Sequence, residues 1–251
     1  MMGRTHAMTG VLAGLVAGRS VGLDSIPELL PFASITAGYA LFPDLDHPNA
    51  TATRVLGPVT GALSRVLRAA SAGLYAKTKG PQDEPEGRHR HLTHTLVFAL
   101  LLGGICAASI ALSPWAALAW LAFGLVLAAD RLGKIALVVY AVGVAAGLST
   151  AAAAGQPVDA FFTEHSAWLW LAVTLGCVVH CLGDMVTESG CPLLWLPWPL
   201  TRLTTWRGET WYEVRPPKVL RFRTNGRFER LVVVPVTLIA SCVAALPLFL
   251  A

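Results

Sequence analysis

HRHLTHTLVFALLLGGICAASIAL, residues 89–112, sets three histidines and an arginine directly against a run of seventeen residues without a charge. An apolar run of this length reads as a membrane helix, since about 20 apolar residues cross roughly 30 Å of hydrocarbon. Imidazole carries little charge at neutral pH and anchors poorly at an interface. The polar cluster is therefore a ligand set or an accident, and the rest of the chain has to decide between them.

Six further apolar segments lie at 7–18, 29–43, 115–129, 135–154, 167–187 and 231–250. Over 251 residues, 55% are hydrophobic and only 14% charged, which is wrong for a soluble domain. The expected fold is all-α: a polytopic integral membrane bundle of six to seven hydrophobic segments, with 7–18 the shortest. The N-terminal stretch has an early arginine like a signal peptide, but lacks an A-x-A cleavage site and is read as retained. Of the 19 Lys and Arg, only Arg19 falls outside 1–6, 44–94, 130–134 and 188–230 when spans alternate. The positive-inside rule makes that side cytoplasmic.

Val55, Val59, Ala62, Leu63, Val66, Ala70 and Leu74 recur at helical spacing, opposite Arg54, Arg65 and Arg68, as an amphipathic helix on a bilayer surface would have them. A polar Pro/Gly linker follows at about 76–88. VLRFRTNGRFERLV alternates around Asn-Gly and predicts a small β-hairpin near 219–231. The chain reads as one domain, 1–251, with no internal repeat. Five cysteines without CxxC spacing read as reduced and structural. Tryptophans gather at span ends as an interfacial belt would. No phosphate loop or nucleophile elbow occurs, and no direct nucleic-acid binding is expected.

This topology sorts the histidines. His6, His47, His89, His91, His94 and His180 fall in the cytoplasmic half, and only His165 lies outside. Asp44 and Asp46 stand in FPDLDHP, where the second segment re-emerges. His180 and Asp184 are i and i+4, about 40° apart around a helix, with Thr187 on the same stripe. An ionisable pair in an apolar helix is usually paired, metal-bound or turned to water. Each group has a plainer reading when taken singly. His47 before Pro48 would cap a turn, His91 would be solvated, and His180–Asp184 would be a hydrogen-bonded pair. The basic residues of 200–230 suit anionic-lipid anchors. Four separate regions nevertheless deliver metal-type side chains to one depth on one face. Mixed imidazole and carboxylate suits Zn²⁺, and also Mn²⁺ or Fe²⁺.

Taken in order, TH at 5–6, FPDLDHP at 42–48, HRHLTHT at 89–95, HCLGDMVTESGCPLLWLP at 180–197 and TNGRFER at 224–230 resemble the YdjM-type family (DUF457) of inner-membrane, metal-dependent hydrolases. The resemblance spans most of the chain, which departs from it in the linker and in extra helices at about 115–154. A weaker resemblance, in the order of an early His, an acid, a His pair and HxLGD, reaches the zinc-dependent phospholipase C and S1/P1 nuclease superfamily. By that analogy His6, Asp46, His89, His94, His180 and Asp184 are metal ligands for one or two ions. The later ligand pair of the soluble enzymes has no counterpart here.

The expected activity is therefore a membrane-bound, multi-pass inner (plasma) membrane hydrolase. It cleaves a small-molecule or lipid phosphoester with a metal-activated water at the cytoplasmic interface, among membrane lipids. Asp44 serves as general base or orienting group, Arg90 stabilises phosphate charge, and Thr93 and Thr187 supply hydrogen bonds behind the ligands. Two other readings compete. One is a metal-stabilised scaffold that binds a protein partner, as the family's LexA-binding label implies. The other is a metal or ion transporter, which the gathering of polar residues at one end disfavours.

Overall fold

In the computed structural model, which describes residues 1–84, 90–113, 115–156, 166–197 and 199–250, the chain folds as helices joined by turns and, between 186 and 226, by a longer and largely irregular stretch. Helices α1 (Gly3–Ser20) and α2 (Ile26–Tyr39) come first. Gly10, Gly14 and Gly18 of α1 meet Ala37, Ala33 and Leu29 of α2 in descending order, so the pair is antiparallel. A Cβ on Gly14 would stand 2.5 Å from Ala33 Cα, so only glycine lets the backbones come this close.

After α3 (Pro58–Thr78) come α4 (Leu96–Leu112), α5 (Ala116–Leu132), α6 (Lys134–Ala153), α7 (Leu169–Met185) and α8 (Val234–Ala245). Helix α2 runs through the middle and packs on α1, α5, α6 and α7. Its Phe32, Ile35 and Tyr39 share one buried core with Cys106 of α4, Leu121 of α5 and Val173 of α7. The buried Tyr39 hydroxyl donates to the Trp120 carbonyl at 3.0 Å, so the core leaves this polar group satisfied. All five cysteines are free.

Every apolar segment contains a helix, and the all-α expectation holds, but the polytopic membrane bundle does not. Among the described residues no helix is long and apolar enough to cross a membrane. The runs are cut short by local chemistry. Thr95 Oγ1 accepts the Phe98 N–H at 3.1 Å and starts α4 only after the histidine cluster. Gly133, with φ +76°, ends α5 in a conformation that favours glycine. Helices α4, α5 and α7 are each 17 residues long. At ~1.5 Å per residue they reach about 26 Å, short of the roughly 30 Å of hydrocarbon.

The β-hairpin expected at 219–231 is also absent. Among the described residues there are isolated bridges but no strand, and Phe222 forms one such bridge with Thr187. Asn225 takes φ +61° and its N–H donates to Glu229 Oε2 at 2.7 Å. Asn-Gly therefore turns the chain into a helix, which continues through the π turn Glu229–Val233 into α8.

Helix α3 turns Thr60, Ser64, Ser71 and Tyr75 inward and leaves the expected apolar face open, with Val59 and Val66 each 64% exposed. Hydrogen bonds decide the orientation. Thr60 Oγ1 donates to the Thr53 carbonyl at 3.0 Å, and Ser71 Oγ accepts the Leu92 N–H at 3.2 Å. That last bond ties α3 to the turn carrying His94. The first part of the linker docks as well, where Asp83 accepts the N–H groups of Gly80, Thr210 and Trp211. The last expected linker residues, 85–88, lie outside the described residues.

Candidate metal centre

Four segments meet at the end of α2. His6 comes from the first turns of α1, and His180 and Asp184 from the last turns of α7. Asp44 comes from the 3₁₀ turn Pro43–Asp46 that follows α2, and His94 from the 3₁₀ turn Leu92–His94 before α4. His6, His94, His180 and Asp184 are buried, while the Asp44 side chain is 21% exposed and forms the open side. Two overlapping groups have ligand atoms close enough to hold an ion: His6, His180 and Asp184, and Asp44, His94 and His180.

The two oxygens of Asp184 face different partners. Oδ1 lies 3.2 Å from His6 Nε2 and also receives the Met1 amino group. Oδ2 lies 3.5 Å from His94 Nε2, 3.6 Å from His180 Nε2 and 3.0 Å from Arg90 Nε. His6 stacks on His180 at 3.8 Å, and His180 Nε2 stands 3.7 Å from Asp44 Oδ1.

Hydrogen bonds fix the tautomers. His180 Nδ1–H donates to the Ala40 carbonyl at 2.8 Å, so its Nε2 lone pair points into the cluster. The Thr93 hydroxyl donates to Asp46 Oδ2 at 2.8 Å and is left to accept from His94 Nδ1–H at 3.0 Å. The His94 Nε2 lone pair then points inward too, and the two Nε2 atoms stand 3.1 Å apart. Two lone pairs at that distance repel unless a proton or a metal ion lies between them. Bonds of 2.0–2.1 Å to a tetrahedral ion put ligand atoms about 3.3 Å apart, close to the spacings here. Both ring nitrogens of His6 and Asp184 Oδ2 are buried without an aligned hydrogen bond, despite the short contacts around them. These residues fit a divalent metal.

Burial drives His6 down to about 3, with His180 beside it adding to the fall, and burial likewise lowers His94. His180 moves the other way: burial opposes, but Asp44 and then Asp184 raise it above its ordinary value. Burial also works against ionised Asp184, yet the imidazoles of His180, His6 and His94 hold it well below the usual carboxylate range. Two imidazoles are thus neutral, ligand-ready groups at pH 7.

The two acids of PDLDHP face different sides. Asp44 faces the cluster, and Asp46 stands behind His94, where its Oδ2 also accepts the Arg90 N–H at 3.2 Å. Arg90 has φ +80°, a strained conformation for a side-chain-bearing residue, and it crosses from Asp184 to the Gly190 carbonyl. Thr187 Oγ1 donates to the Asp184 carbonyl at 2.7 Å and caps α7. His91 packs against Tyr75 and Trp211, and His47 Nδ1 accepts the Asn49 N–H. His89 and His165 lie outside the described residues.

Sequence reasoning missed the Ala40 carbonyl and Glu229. The latter is fully buried, and its carboxylate accepts the N–H groups of Met2 and Asn225, each at 2.7 Å. A glutamate opening an apolar run within TNGRFER was the available signal.

Thr93 and Asp46, which stand behind His94, should matter as well. Thr93→Val and Asp46→Asn are expected to lower metal affinity by ~10–100-fold, read by competition with a chromogenic chelator. Affinity unchanged in both variants would remove the tautomer argument.

A family model described as YdjM inner membrane protein matches residues 1–247. No curated protein and no solved structure matches the chain.

Proposed function

We propose, from the premise that the chain belongs to the YdjM inner membrane protein family, that it is a metal-dependent phosphoester hydrolase with its centre at His6, Asp44, His94, His180 and Asp184. The observation that carries this reading is the pair of inward Nε2 lone pairs 3.1 Å apart beside Asp184. A bound divalent ion, Zn²⁺ or else Mn²⁺ or Fe²⁺, would supply Lewis acidity toward a phosphoryl oxygen and lower the pKa of water.

The chain's own groups do the rest. Asp184, with its oxygens turned to His6 on one side and to His94 and His180 on the other, suits either one ion or a bridged pair. Asp44 stands at the exposed side, where its carboxylate can accept a proton from an attacking water. Arg90 Nε is engaged by Asp184 and Nη1 reaches Gly190, while Nη2 has no partner among the described residues. That free donor is available to stabilise phosphoryl charge. The arginine also lines a polar cavity of about 540 Å³ with His91, Glu188, Ser189 and Arg215, large enough to admit a small-molecule substrate.

The test is hydrolysis of a phosphomonoester, a phosphodiester and a phospholipid by the purified full chain, with its metal intact, stripped and restored. Turnover of one class that is lost on stripping and regained on restoration is expected. A tightly bound metal with no turnover of any class would replace this reading with a structural metal that ties α1, α4 and α7 together.

Binding should also depend on pH in a definite direction. His180, with its raised pKa, holds a proton on the acid side of that value, and the proton has to leave before Nε2 can bind metal. His6 and His94 add no such requirement near neutrality, because both are lowered. Metal affinity is expected to weaken as pH falls through the raised pKa of His180, with proton release on binding growing as pH falls through that value. Calorimetry in two buffers of different ionisation enthalpy measures that release at each pH. Proton release that does not grow as pH falls would place His180 among the imidazoles that bind already neutral.

A further inference from the structure

On the far side of α1 from His6 lies a second recess unconnected with the metal centre. Met8, Val11 and Leu15 stand about 140–200° around the helix from His6 at 100° per residue. They wall a groove of about 330 Å³ together with Ala33 of α2, Leu132 at the end of α5 and Leu238 of α8. That volume suits a ligand site. The walls are almost wholly apolar, and the Ser241 hydroxyl on them is already spent on the Thr237 carbonyl at 2.8 Å. The groove continues onto the outer face of α8, where Leu238, Ile239 and Val243 are more than half exposed.

One end of the groove is basic. Arg4 precedes Met8 by four residues and so heads the same stripe of α1. The α5–α6 corner lies at this end too, because Arg131 packs over Gly3, where a Cβ would stand 3.1 Å from its Nε. Lys134 opens α6 at that corner. Arg4 and Lys134 are exposed and have no hydrogen bond or ion pair among the described residues. The nearby acids are spent: Asp130 on Arg131 and Thr51, and Glu229 on Met2 and Asn225. An apolar slot with a cationic end matches an acyl chain with a negative headgroup.

We infer that this groove binds one acyl chain of an anionic phospholipid, with its phosphate at Arg4 and Lys134. Cys242 offers a built-in reporter, being the exposed one of the five cysteines and part of the groove wall. The experiment measures alkylation of Cys242 by N-ethylmaleimide in the full chain, held in nonionic detergent micelles, with phosphatidylglycerol or phosphatidylcholine added. Alkylation is expected to slow about tenfold when phosphatidylglycerol stands at roughly ten times its Kd, since only the free fraction reacts. Phosphatidylcholine should protect less. Arg4→Glu combined with Lys134→Glu should erase the difference between the lipids, and Ala245→Trp, which fills the groove, should weaken protection by both.

Rates indifferent to lipid would overturn the inference. So would equal protection by both lipids in the wild type, or protection that follows protein concentration instead, which would assign the groove to a second copy of the chain. None of these readouts needs metal or turnover, so they stand apart from the fate of the hydrolase reading.

Discussion

Asp184→Asn is expected to leave a folded protein that no longer retains metal through purification. Both oxygens of this carboxylate are committed, Oδ1 toward His6 and Oδ2 toward His94 and His180. An amide keeps the shape but replaces one oxygen with an N–H group that points at lone pairs. The loss in affinity should exceed the ~10–100-fold that outer partners cost. Any phosphoesterase activity should fall to background in step with metal content, as measured by elemental analysis of wild type and variant prepared side by side. His94→Gln is a companion that removes one inward nitrogen while sparing Asp184. Full metal content in both variants would sink the assignment of the centre.

The second large effect belongs to Glu229, which touches no ligand. Its two oxygens accept the part-buried N–H groups of Met2 and Asn225, so Glu229→Ala removes the acceptor of two donors at once. Leaving a fully buried donor unsatisfied costs about 1–3 kcal/mol, and water can reach these two in part, so a loss of about 1–3 kcal/mol in all is expected in denaturant unfolding of the full chain. Met2 is the residue before α1, and His6 lies in its first turns. The same variant should therefore also weaken metal binding, whereas Glu229→Gln, which retains one acceptor oxygen, should recover part of both. A variant as stable as wild type would show that the N-terminal segment is held by α1 packing alone.

How much of this was readable in advance differs element by element. The helices were, because runs such as 96–112 have nothing else to form. That α4 and α5 stop at 17 residues was not, because it depends on Thr95 capping one end and Gly133 taking a positive φ at another. Asn-Gly was misread for a related reason: a turn signal does not specify whether the chain leaves it as strand or helix, and Glu229 captured the Asn225 N–H for a helix. In the centre, His180 and Asp184 were legible as one face of one helix. Asp44 and Asp46 were not, because they sit on a 3₁₀ turn of about three residues per turn. Two positions apart on such a turn face different sides, so one acid reaches the cluster and the other the back of His94. The polar inward face of α3 lay beyond periodicity altogether, since its partners, the Thr53 carbonyl and the Leu92 N–H, come from outside the helix.

The way the centre is gathered also bears on how the chain assembles. Met1 meets Asp184 across 183 residues, and His94 meets His180 across 86. A growing chain can pair α1 with α2 early, yet the centre stays incomplete until α7 has been made and docked, and closing such long loops is slow. During synthesis, then, capture of an ion at full affinity would mark a late event, one that reports on the arrival of the last helix to supply a ligand.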